Sequence, residues 1–372
     1  MRDLTMSNDK KRSYARRRFL GGMVGLGLTA TMRPAHAWDA TENQTAVDDP
    51  QLILGGGPDS LPGQIAPLLS HALERGLNLD MPLRTRTDVG RDGVTAANLF
   101  DTGMAADGAT ALVAPGAALV ASLSGDPRVH FDYSRWVPIM MAQRPVVTLA
   151  RAELHRSLKE RLEGWLHDHP VRLAVSQPTG VELASLLGLS LLGLHPVPVE
   201  GLASQDAALR ALQNGTVDAV QLTSNPAGES IEKIIAQAPS GTLPMFHIGN
   251  EELSLPSFGQ SFEEARRRQP GGPLYDAWQS VALAASTGLT VALPMLTPAP
   301  LVARWRHAAT LAAETPELRN WSRGNQVSLV SGAESAPLLS ALTPDLTALL
   351  ALRRWINNNT PRWRLGQETR PT

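Results

Sequence analysis

Short apolar runs alternate along most of this chain with longer segments whose apolar residues recur at helical spacing. The run Leu52-Ile53-Leu54 stops at three glycines, and a segment of helical period follows over residues 65–77. The same order returns at residues 173–175 and 181–192. A short apolar run bounded by small residues predicts a buried strand, and a 3.6-residue period predicts a helix. Alternation of the two predicts parallel strands joined by helical crossovers, and therefore an α/β fold.

The same reasoning assigns the rest of the chain. Further strands are predicted at residues 81–87, 109–114, 146–149, 197–199, 217–222 and 243–248. Further helices are predicted at residues 94–102, 154–168, 203–214, 231–237, 298–315, 316–324 and 344–357. Residues 250–273 are expected to be loop-rich, and residues 280–293 to form one or two strands. Residues 38–50 and the tail from residue 360 lack a period and are expected to be flexible.

The N-terminal segment has the pattern of an export signal. Several basic residues lie near the N-terminus and end with Arg16-Arg17-Arg18. A weakly apolar segment follows at residues 22–32, and Ala35-His36-Ala37 then has the small-residue spacing of a cleavage site. This predicts a twin-arginine signal peptide over residues 1–37, cleaved after Ala37, and hence a periplasmic protein. A transmembrane anchor is the alternative, but the apolar stretch falls short of the roughly 20 residues that a bilayer requires. No later stretch is long and apolar enough to span a membrane, so we expect the mature protein not to be membrane-embedded.

Composition narrows the possible partners. The 372 residues are enough for two ordinary domains, and there is no cysteine, which excludes disulfides, thiolate metal sites and a lipoprotein anchor. The chain has 34 basic and 35 acidic residues, and the predicted signal holds eight of the basic and two of the acidic ones. The mature chain is therefore acidic, so nucleic acid is not an expected partner. No motif for a cofactor or a metal is present.

The first candidate binding loop is Gly55-Gly56-Gly57-Pro58-Asp59-Ser60, between the first predicted strand and helix. Glycines let the backbone approach a ligand closely, and the N–H groups at the following helix start suit a carboxylate or phosphate. A tight strand-to-helix turn without a ligand is an equally good interpretation of this stretch alone.

A second candidate loop, Ser176-Gln177-Pro178-Thr179-Gly180, follows the strand at 173–175. Its backbone N–H groups and two hydroxyls could face the first loop across a cleft. The alternative is that Ser176 and Thr179 only cap the next helix. Glu182, in the first turn of that helix, suits the helix dipole but would weaken attraction for a nearby anion.

Several such segments occur in the order and spacing of one family. The sequence resembles the periplasmic substrate-binding proteins of tripartite tricarboxylate transporters, the TctC-like or Bug-type receptors, from about residue 51 to about residue 331. The segments that carry the resemblance are Gly56-Gly57-Pro58-Asp59-Ser60, residues 88–98, Asp107-Gly108-Ala109-Thr110-Ala111-Leu112, residues 131–138, residues 176–180 and Asn214-Gly215-Thr216-Val217-Asp218-Ala219.

The resemblance implies a two-lobed periplasmic binding protein type II fold with a ligand cleft between the lobes. It implies a first lobe built from residues 51–148 and 249–358, a second lobe at 149–248, and a C-terminal tail at 359–372. Residues 146–149 and 243–248 would supply the hinge strands.

The resemblance also implies a ligand and the residues that bind it. The ligand would be a small organic acid, held largely by backbone N–H groups and hydroxyls, and the partners would be membrane permease subunits of a tripartite transporter. Carried over position by position, the ligand-binding residues are Gly56, Gly57, Asp59 and Ser60 on one wall, Ser176, Thr179 and Gly180 on the other, and Thr223 and Ser224 as further candidates.

Two other functions are compatible with parts of the sequence. An enzyme is disfavoured because there is no GxSxG elbow, no HExxH motif and no cysteine nucleophile. His167-Asp168-His169 is the one close histidine pair, and a solvated helix end explains it better than a metal site. A binding protein that presents its loaded form to a membrane sensor or to another periplasmic protein would use the same cleft as a transport receptor, so the sequence leaves both open.

Overall fold

The computed structural model describes residues 49–88, 90, 92–160, 170–224, 229–249 and 253–368. The predicted export signal and the His167-Asp168-His169 pair lie outside these residues. Within them, the chain forms two mixed sheets with helices packed against both.

The first lobe is built on a six-stranded sheet with the strand order β11-β4-β10-β3-β1-β2. Strands β1, β2 and β3 are parallel, whereas β10 runs antiparallel to both β3 and β4, and β11 runs antiparallel to β4. Strand β4 therefore points the same way as β1 and β3. The strands are β1 Gln51–Gly55, β2 Arg84–Asp88, β3 Thr110–Ala114, β4 Val137–Gln143, β10 Thr287–Leu293 and β11 Ser328–Ser331.

The second lobe is built on a five-stranded sheet with the order β7-β6-β8-β5-β9. Strands β6, β7 and β8 are parallel, and β5 runs antiparallel to both β8 and β9. Its strands are β5 Val146–Arg151, β6 Val171–Ala174, β7 Pro196–Val199, β8 Ala219–Thr223 and β9 Thr242–Ile248.

Helices cover both faces of each sheet. Those of the first lobe are α1 Leu61–Leu77, α2 Val94–Gly103, α3 Gly116–Ser124, α10 Ala299–Glu314, α11 Pro316–Gly324 and α12 Ser335–Ala341, with short 3₁₀ turns at Tyr133–Arg135 and Gly332–Glu334. Those of the second lobe are α4 Ala152–Glu160, α5 Leu183–Leu191, α6 Gln205–Gln213, α7 Ile231–Ala236 and α8 Phe258–Arg266. The ends of helix α1 are set by its local sequence. Ser60 caps its N-terminus, and Asn78 adopts a left-handed conformation at its C-terminus.

Two helices join the lobes. Helix α9, Pro273–Ser286, buries Val281 and Ala285 in an apolar cluster that continues from the first lobe into the second, and the indole of Trp278 donates to the carbonyl of Ala184 at 3.0 Å. Helix α13, Leu346–Glu368, ends on the second lobe, where the indole of Trp363 donates to the carbonyl of Pro196 at 3.2 Å. Burial of this apolar surface is the main stabilising contribution to the lobe contact.

Three of the sequence-based predictions for elements are wrong. Residues 280–286, expected to be strand, complete helix α9. The loop-rich expectation for 250–273 overlooks α8, which Ser257 and Gln260 start with a reciprocal capping box. The tail expected to lack structure from residue 360 continues α13 through Glu368. Strands β4 and β11 and helices α3 and α12 are absent from the sequence-based predictions.

The lobe boundaries also differ from those expected. Strand β5 pairs within the second sheet from its first residue, Val146, so the first segment of lobe 1 ends at Gln143 rather than at residue 148. Helix α8 packs on the second sheet, where the Ser261 hydroxyl donates to the carbonyl of Met245 at 2.6 Å. Residues 253–266 therefore belong to the second lobe rather than to the first.

No single helix of the described residues is long and apolar enough to cross a membrane. Gly332–Ala341 and Leu346–Trp363 together have the length and apolar composition of a membrane span, but the two helices are bent by 57° relative to each other.

Candidate functional site

The carboxyl ends of the parallel strands of both sheets face the junction between the lobes. Strand β4 ends at Gln143, and the chain passes through Arg144 and Pro145 directly into β5. Because β5 runs antiparallel to β8, its first residue, Val146, lies opposite Thr223 at the carboxyl end of β8. The carboxyl edges of the two sheets therefore meet across Arg144-Pro145, and the loops that follow these strands lie on the junction side of each sheet.

Three passages of the chain lie close together at this junction. The backbone N–H of Arg144 donates to the carbonyl of Ser286, the last residue of α9, at 2.8 Å. Gly249, which follows β9, has a φ of 95°, and a Cβ at this position would stand 3.2 Å from the carbonyl oxygen of Arg144. The predicted hinge strands, residues 146–149 and 243–248, are neighbours within the second sheet, and the connections between the lobes lie just beyond them.

The first candidate loop lies at this junction, between β1 and α1. Gly56 is buried and has a φ of 134°, which favours glycine. The Ser60 hydroxyl donates to the carbonyl of Gly57 at 2.6 Å and accepts from the N–H of Gly63 at 3.2 Å, so it holds the loop and caps the helix. Asp59 is exposed. The space around the Cα of Gly57 is open, since a Cβ there would meet no atom within 4 Å.

The second candidate loop lies at the carboxyl end of β6. The Ser176 hydroxyl donates to Oε2 of Glu182 at 2.9 Å. A Cβ on Gly180 would stand 2.8 Å from both of these oxygen atoms, so a side chain there would displace the bonded pair of Ser176 and Glu182. The helix cap is Glu182 rather than Ser176 or Thr179, so the capping alternative does not describe this loop. Thr179 is partly buried and donates no side-chain hydrogen bond to a described residue.

Burial dominates the electrostatics of this second loop. It raises the pKa of Glu182 above its ordinary value, and the hydrogen bonds from its own backbone and from Ser176 oppose this shift only in part. A carboxyl group that is harder to ionise repels a neighbouring anion less than a solvated glutamate would.

Thr223 and Ser224 lie at the carboxyl end of β8, next to the junction. The backbone N–H of Thr223 donates to Oε1 of Gln205 at 2.8 Å, which ties this edge to the start of α6. Ser224 is 2% exposed. All the candidate binding residues named from the sequence thus follow strands that end at one junction.

Unpaired polar atoms are concentrated at the same edge of the first sheet. Among the described residues, four buried side-chain nitrogen or oxygen atoms have no hydrogen-bond partner: Nε2 of Gln143, Nε of Arg144, Oγ1 of Thr290 and Oδ1 of Asn325. Gln143 and Arg144 form the junction, and Thr290 lies opposite Ala114, the last residue of β3. Such atoms are costly in a core and are typical of places that bind water or a ligand.

A direct contact between the lobes lies at one end of the gap. Oε1 of Gln326, just before β11, accepts from the backbone N–H of Ile231 at 2.6 Å, and its Nε2 donates to the carboxylate of Glu232 at 2.8 Å. Ser328 of β11 lies opposite Gln143, so this bridge spans the same two edges. Helix α9 closes the opposite face, where a Cβ on Gly116 would stand 2.2 Å from the carbonyl oxygens of Ala284 and Thr287.

Sequence reasoning missed Arg144 and Gln326. Neither residue belongs to a motif. Each lies at the site only because of the directions and pairings of the neighbouring strands. A signal for Arg144 was present, because it is a charged residue between two apolar runs, 137–142 and 146–150, both of which are buried or nearly so.

A large cavity lined by described residues lies elsewhere. It has a volume of about 800 Å³ and is located between α13, the end of α5 and the start of β7, beside Trp355, Trp363 and His195. It touches neither candidate loop. Residues 89, 91 and 225–228, which follow β2 and β8, lie outside the described residues. Among the described residues, no group of three or more metal-ligating side chains is arranged to hold a metal ion.

Comparison with known proteins identifies the fold. No family model matches this sequence, and no curated protein does. Solved structures are similar at low identity. A TctC solute-binding protein from Polaromonas, without ligand, has a TM-score of 0.58 at 14% identity, covering 83% of this chain and 98% of that one.

Two proteins from Rhodopseudomonas palustris are also similar. MatC with bound malate has a TM-score of 0.52 at 18% identity, covering 84% of this chain and 97% of that one. Rpa4515 with adipate has a TM-score of 0.50 at 17% identity, covering 84% and 96%. The chain therefore has the two-lobed type II periplasmic binding protein fold of the TctC-like receptors, and the predicted fold is confirmed.

Proposed function

We propose that this protein is a periplasmic solute-binding protein of the TctC or Bug type, which captures a small organic acid in the gap between its lobes. It would deliver the acid to the membrane permease subunits of a tripartite tricarboxylate-type transporter. The observation that carries the proposal is the meeting of both carboxyl edges, with their loops, across Arg144-Pro145. Ligands of open α/β sheets bind outside the carboxyl ends of the strands.

The similar structures support a carboxylate as the ligand. Malate and adipate, bound by two of them, are both small dicarboxylates. Backbone N–H groups and hydroxyls preoriented around an anion can bind it without a cluster of cations. A net-acidic mature chain is compatible with this kind of recognition, because the site depends on local donors rather than on the overall charge.

Each candidate residue has a proposed role. Gly57 would present its backbone N–H group, and Asp59 would border the entrance. Gly56 would let the ligand approach the backbone closely, since its own N–H already donates to the carbonyl of Leu54 at 3.2 Å. Ser60, Ser176 and Gly180 would shape the two loops around the ligand, because the two hydroxyls already bond within their own loops and Gly180 is closely packed. The N–H groups of Ser60 and Gly180 are also used, since each donates to a carbonyl of its own loop at 3.0 Å. The hydroxyls of Thr179, Thr223 and Ser224 would contact the ligand from the second lobe.

We propose no catalytic step and no cofactor. Export through the twin-arginine pathway, with cleavage after Ala37, completes the proposal. The mass of the mature protein recovered from the periplasm would test the cleavage site, because processing after Ala37 leaves Trp38 as the first residue.

A ligand screen tests the binding function. The mature protein would be heated with di- and tricarboxylates, hydroxy acids, amino acids and matched neutral amides. A carboxylate at about 100 times its Kd adds roughly 2.7 kcal/mol to the free energy of unfolding. Stabilisation by one or more carboxylates, but not by their amides, is the expected result. If no carboxylate stabilises the protein, the proposed function is wrong.

A further inference from the structure

Arg144 lies between the two carboxyl edges as the first residue of the connection that joins the lobes. Its side chain runs along the first lobe, since its Cδ would stand 3.9 Å from a Cβ on Gly288. The same Cβ would stand 2.5 Å from Cδ2 of Leu61, the residue that follows Ser60. The arginine side chain thus passes beside the start of α1, next to the first candidate loop.

No described residue compensates the charge of Arg144. It is partly buried, makes no ion pair with a described residue, and has an Nε that is shielded from solvent without a hydrogen-bond partner. Burial lowers its pKa to about 10, so the guanidinium is still protonated at neutral pH. By contrast, Arg128, on the loop after α3, pairs with Asp92 at 2.7 Å and with Asp126 at 2.6 Å.

A desolvated guanidinium without a counter-ion is costly, and none of the ion pairs between described residues includes this one. Its planar fork of donors matches the two oxygens of a carboxylate. Both candidate loops follow strands that end at the junction where Arg144 lies, so an anion held between the lobes there could contact both lobes and Arg144 together.

We propose that Arg144 is the charge anchor of the binding site and pairs with one carboxylate group of the ligand. The inference rests on the proposed function and deepens it, because it assigns the ligand's negative charge to one residue that no sequence motif marks. It also sets the specificity: the ligand must carry at least one ionised carboxylate, and replacing that group by an amide should remove most of the affinity.

A structural role is the competing explanation, since the aliphatic part of Arg144 lies beside Gly288. Arg144→Met separates the two roles, because it keeps an unbranched side chain of similar length and removes the charge and the donors. Arg319→Met is the matched control, as Arg319 is exposed on α11 of the same lobe and away from the junction.

The experiment measures the binding of two ligands to three proteins by calorimetry. The ligands are a carboxylate that stabilises the wild-type protein in the screen and its matched amide. In the wild-type protein and in Arg319→Met, amidation should weaken binding by about 10- to 100-fold, the range expected for hydrogen bonds to a charged group. In Arg144→Met, carboxylate and amide should bind with similar, weak affinity, while the unliganded variant keeps the thermal stability of the wild type or exceeds it.

The outcomes separate the anchor from the proposed function. If the wild-type protein binds carboxylates and Arg144→Met binds them equally well, or distinguishes acid from amide as the wild type does, the anchor is wrong and the function stands. If the wild-type protein binds no carboxylate, the function and the anchor are both wrong. If Arg144→Met loses both stability and affinity, Arg144→Lys decides: recovery of the acid-over-amide preference by this variant supports the anchor, and no recovery overturns it.

Discussion

Gln326 of the first lobe donates from Nε2 to both carboxylate oxygens of Glu232 in the second lobe, at 2.8 and 3.1 Å. Its Oε1 accepts from the N–H of Ile231, the first residue of α7. One side chain therefore contacts a charged group and a helix start across the gap. The two lobes are therefore joined by the side chain of Gln326 as well as by helix α9.

Removing this bridge should weaken ligand retention. Gln326→Ala abolishes hydrogen bonds that exist only when the lobes are close, so it shifts the population toward an open form. We expect a several-fold faster ligand dissociation in stopped-flow measurements and a larger radius of gyration of the unliganded protein in X-ray scattering. Gln279→Ala, at an exposed position on α9, serves as the control. Identical dissociation rates and radii for the two variants would show that the bridge does not hold the lobes together.

The first loop offers a pair of glycines with opposite expected effects. Gly57 has open space for a side chain, so Gly57→Val should leave the free energy of unfolding within about 0.5 kcal/mol of the wild type while obstructing the ligand. A Cβ on Gly63 would stand 2.3 Å from the carbonyl oxygen of Gly57, so Gly63→Ala should destabilise by about 1–3 kcal/mol. Urea unfolding and calorimetry measure the two quantities. Unchanged affinity in Gly57→Val would move the site away from this loop.

Glu182 predicts a pH dependence of stability. Its pKa is raised in the folded state, chiefly by burial, so the folded protein holds this proton more tightly than the unfolded chain does. The resulting stabilisation is fully present below the unfolded pKa, about 4.3, and is lost as the pH rises through the folded pKa.

Glu182→Gln isolates this contribution. The free energy of unfolding of the wild type minus that of the variant should fall between pH 4 and pH 8, since other titrating groups cancel in the difference. Glu263→Gln, at an exposed position on α8, is the matched comparison. A difference that rises with pH would show that the folded protein favours the ionised form.

The end of the C-terminal helix should be essential for stability. Trp363 is 3% exposed, packs edge-on against Trp355 with ring centroids 5.6 Å apart, and bonds to the carbonyl of Pro196. Trp363→Ala should cost about 3–5 kcal/mol, whereas Arg362→Ala, at an exposed position on the same turn, should cost less than about 0.5 kcal/mol. Urea unfolding measures both, and a near-neutral Trp363→Ala would mean that this end of the helix does not dock as described.

Much of the fold could be predicted because its strands are apolar runs bounded by glycines or polar turns. Residues 51–55 and 110–114 are of this kind, and their direction follows from the helices between them. The same reasoning gave a wrong prediction for helix α9, whose last residues were expected to be strand. It contacts both lobes, so its apolar residues, many of them alanines, surround the axis and leave little helical period to detect.

The candidate site was only partly predictable for a related reason. The glycine and hydroxyl loops have local signatures, so their positions after β1 and β6 could be expected. Arg144 and Gln326 have none, because their significance depends on which strand ends lie together. That information is in the pairing of β5 with β8 and of β4 with β11, which no local pattern in the sequence specifies.

Locating a bound carboxylate tests the central claim most directly. Crystals of the mature protein grown with 2-bromosuccinate would place the ligand through the anomalous signal of bromine. We predict a bromine peak between the loop after β1 and the loop after β6, with a carboxylate on the guanidinium of Arg144. A peak in the cavity beside Trp355 and Trp363, or on the outer surface of either lobe with none at the junction, would contradict the account.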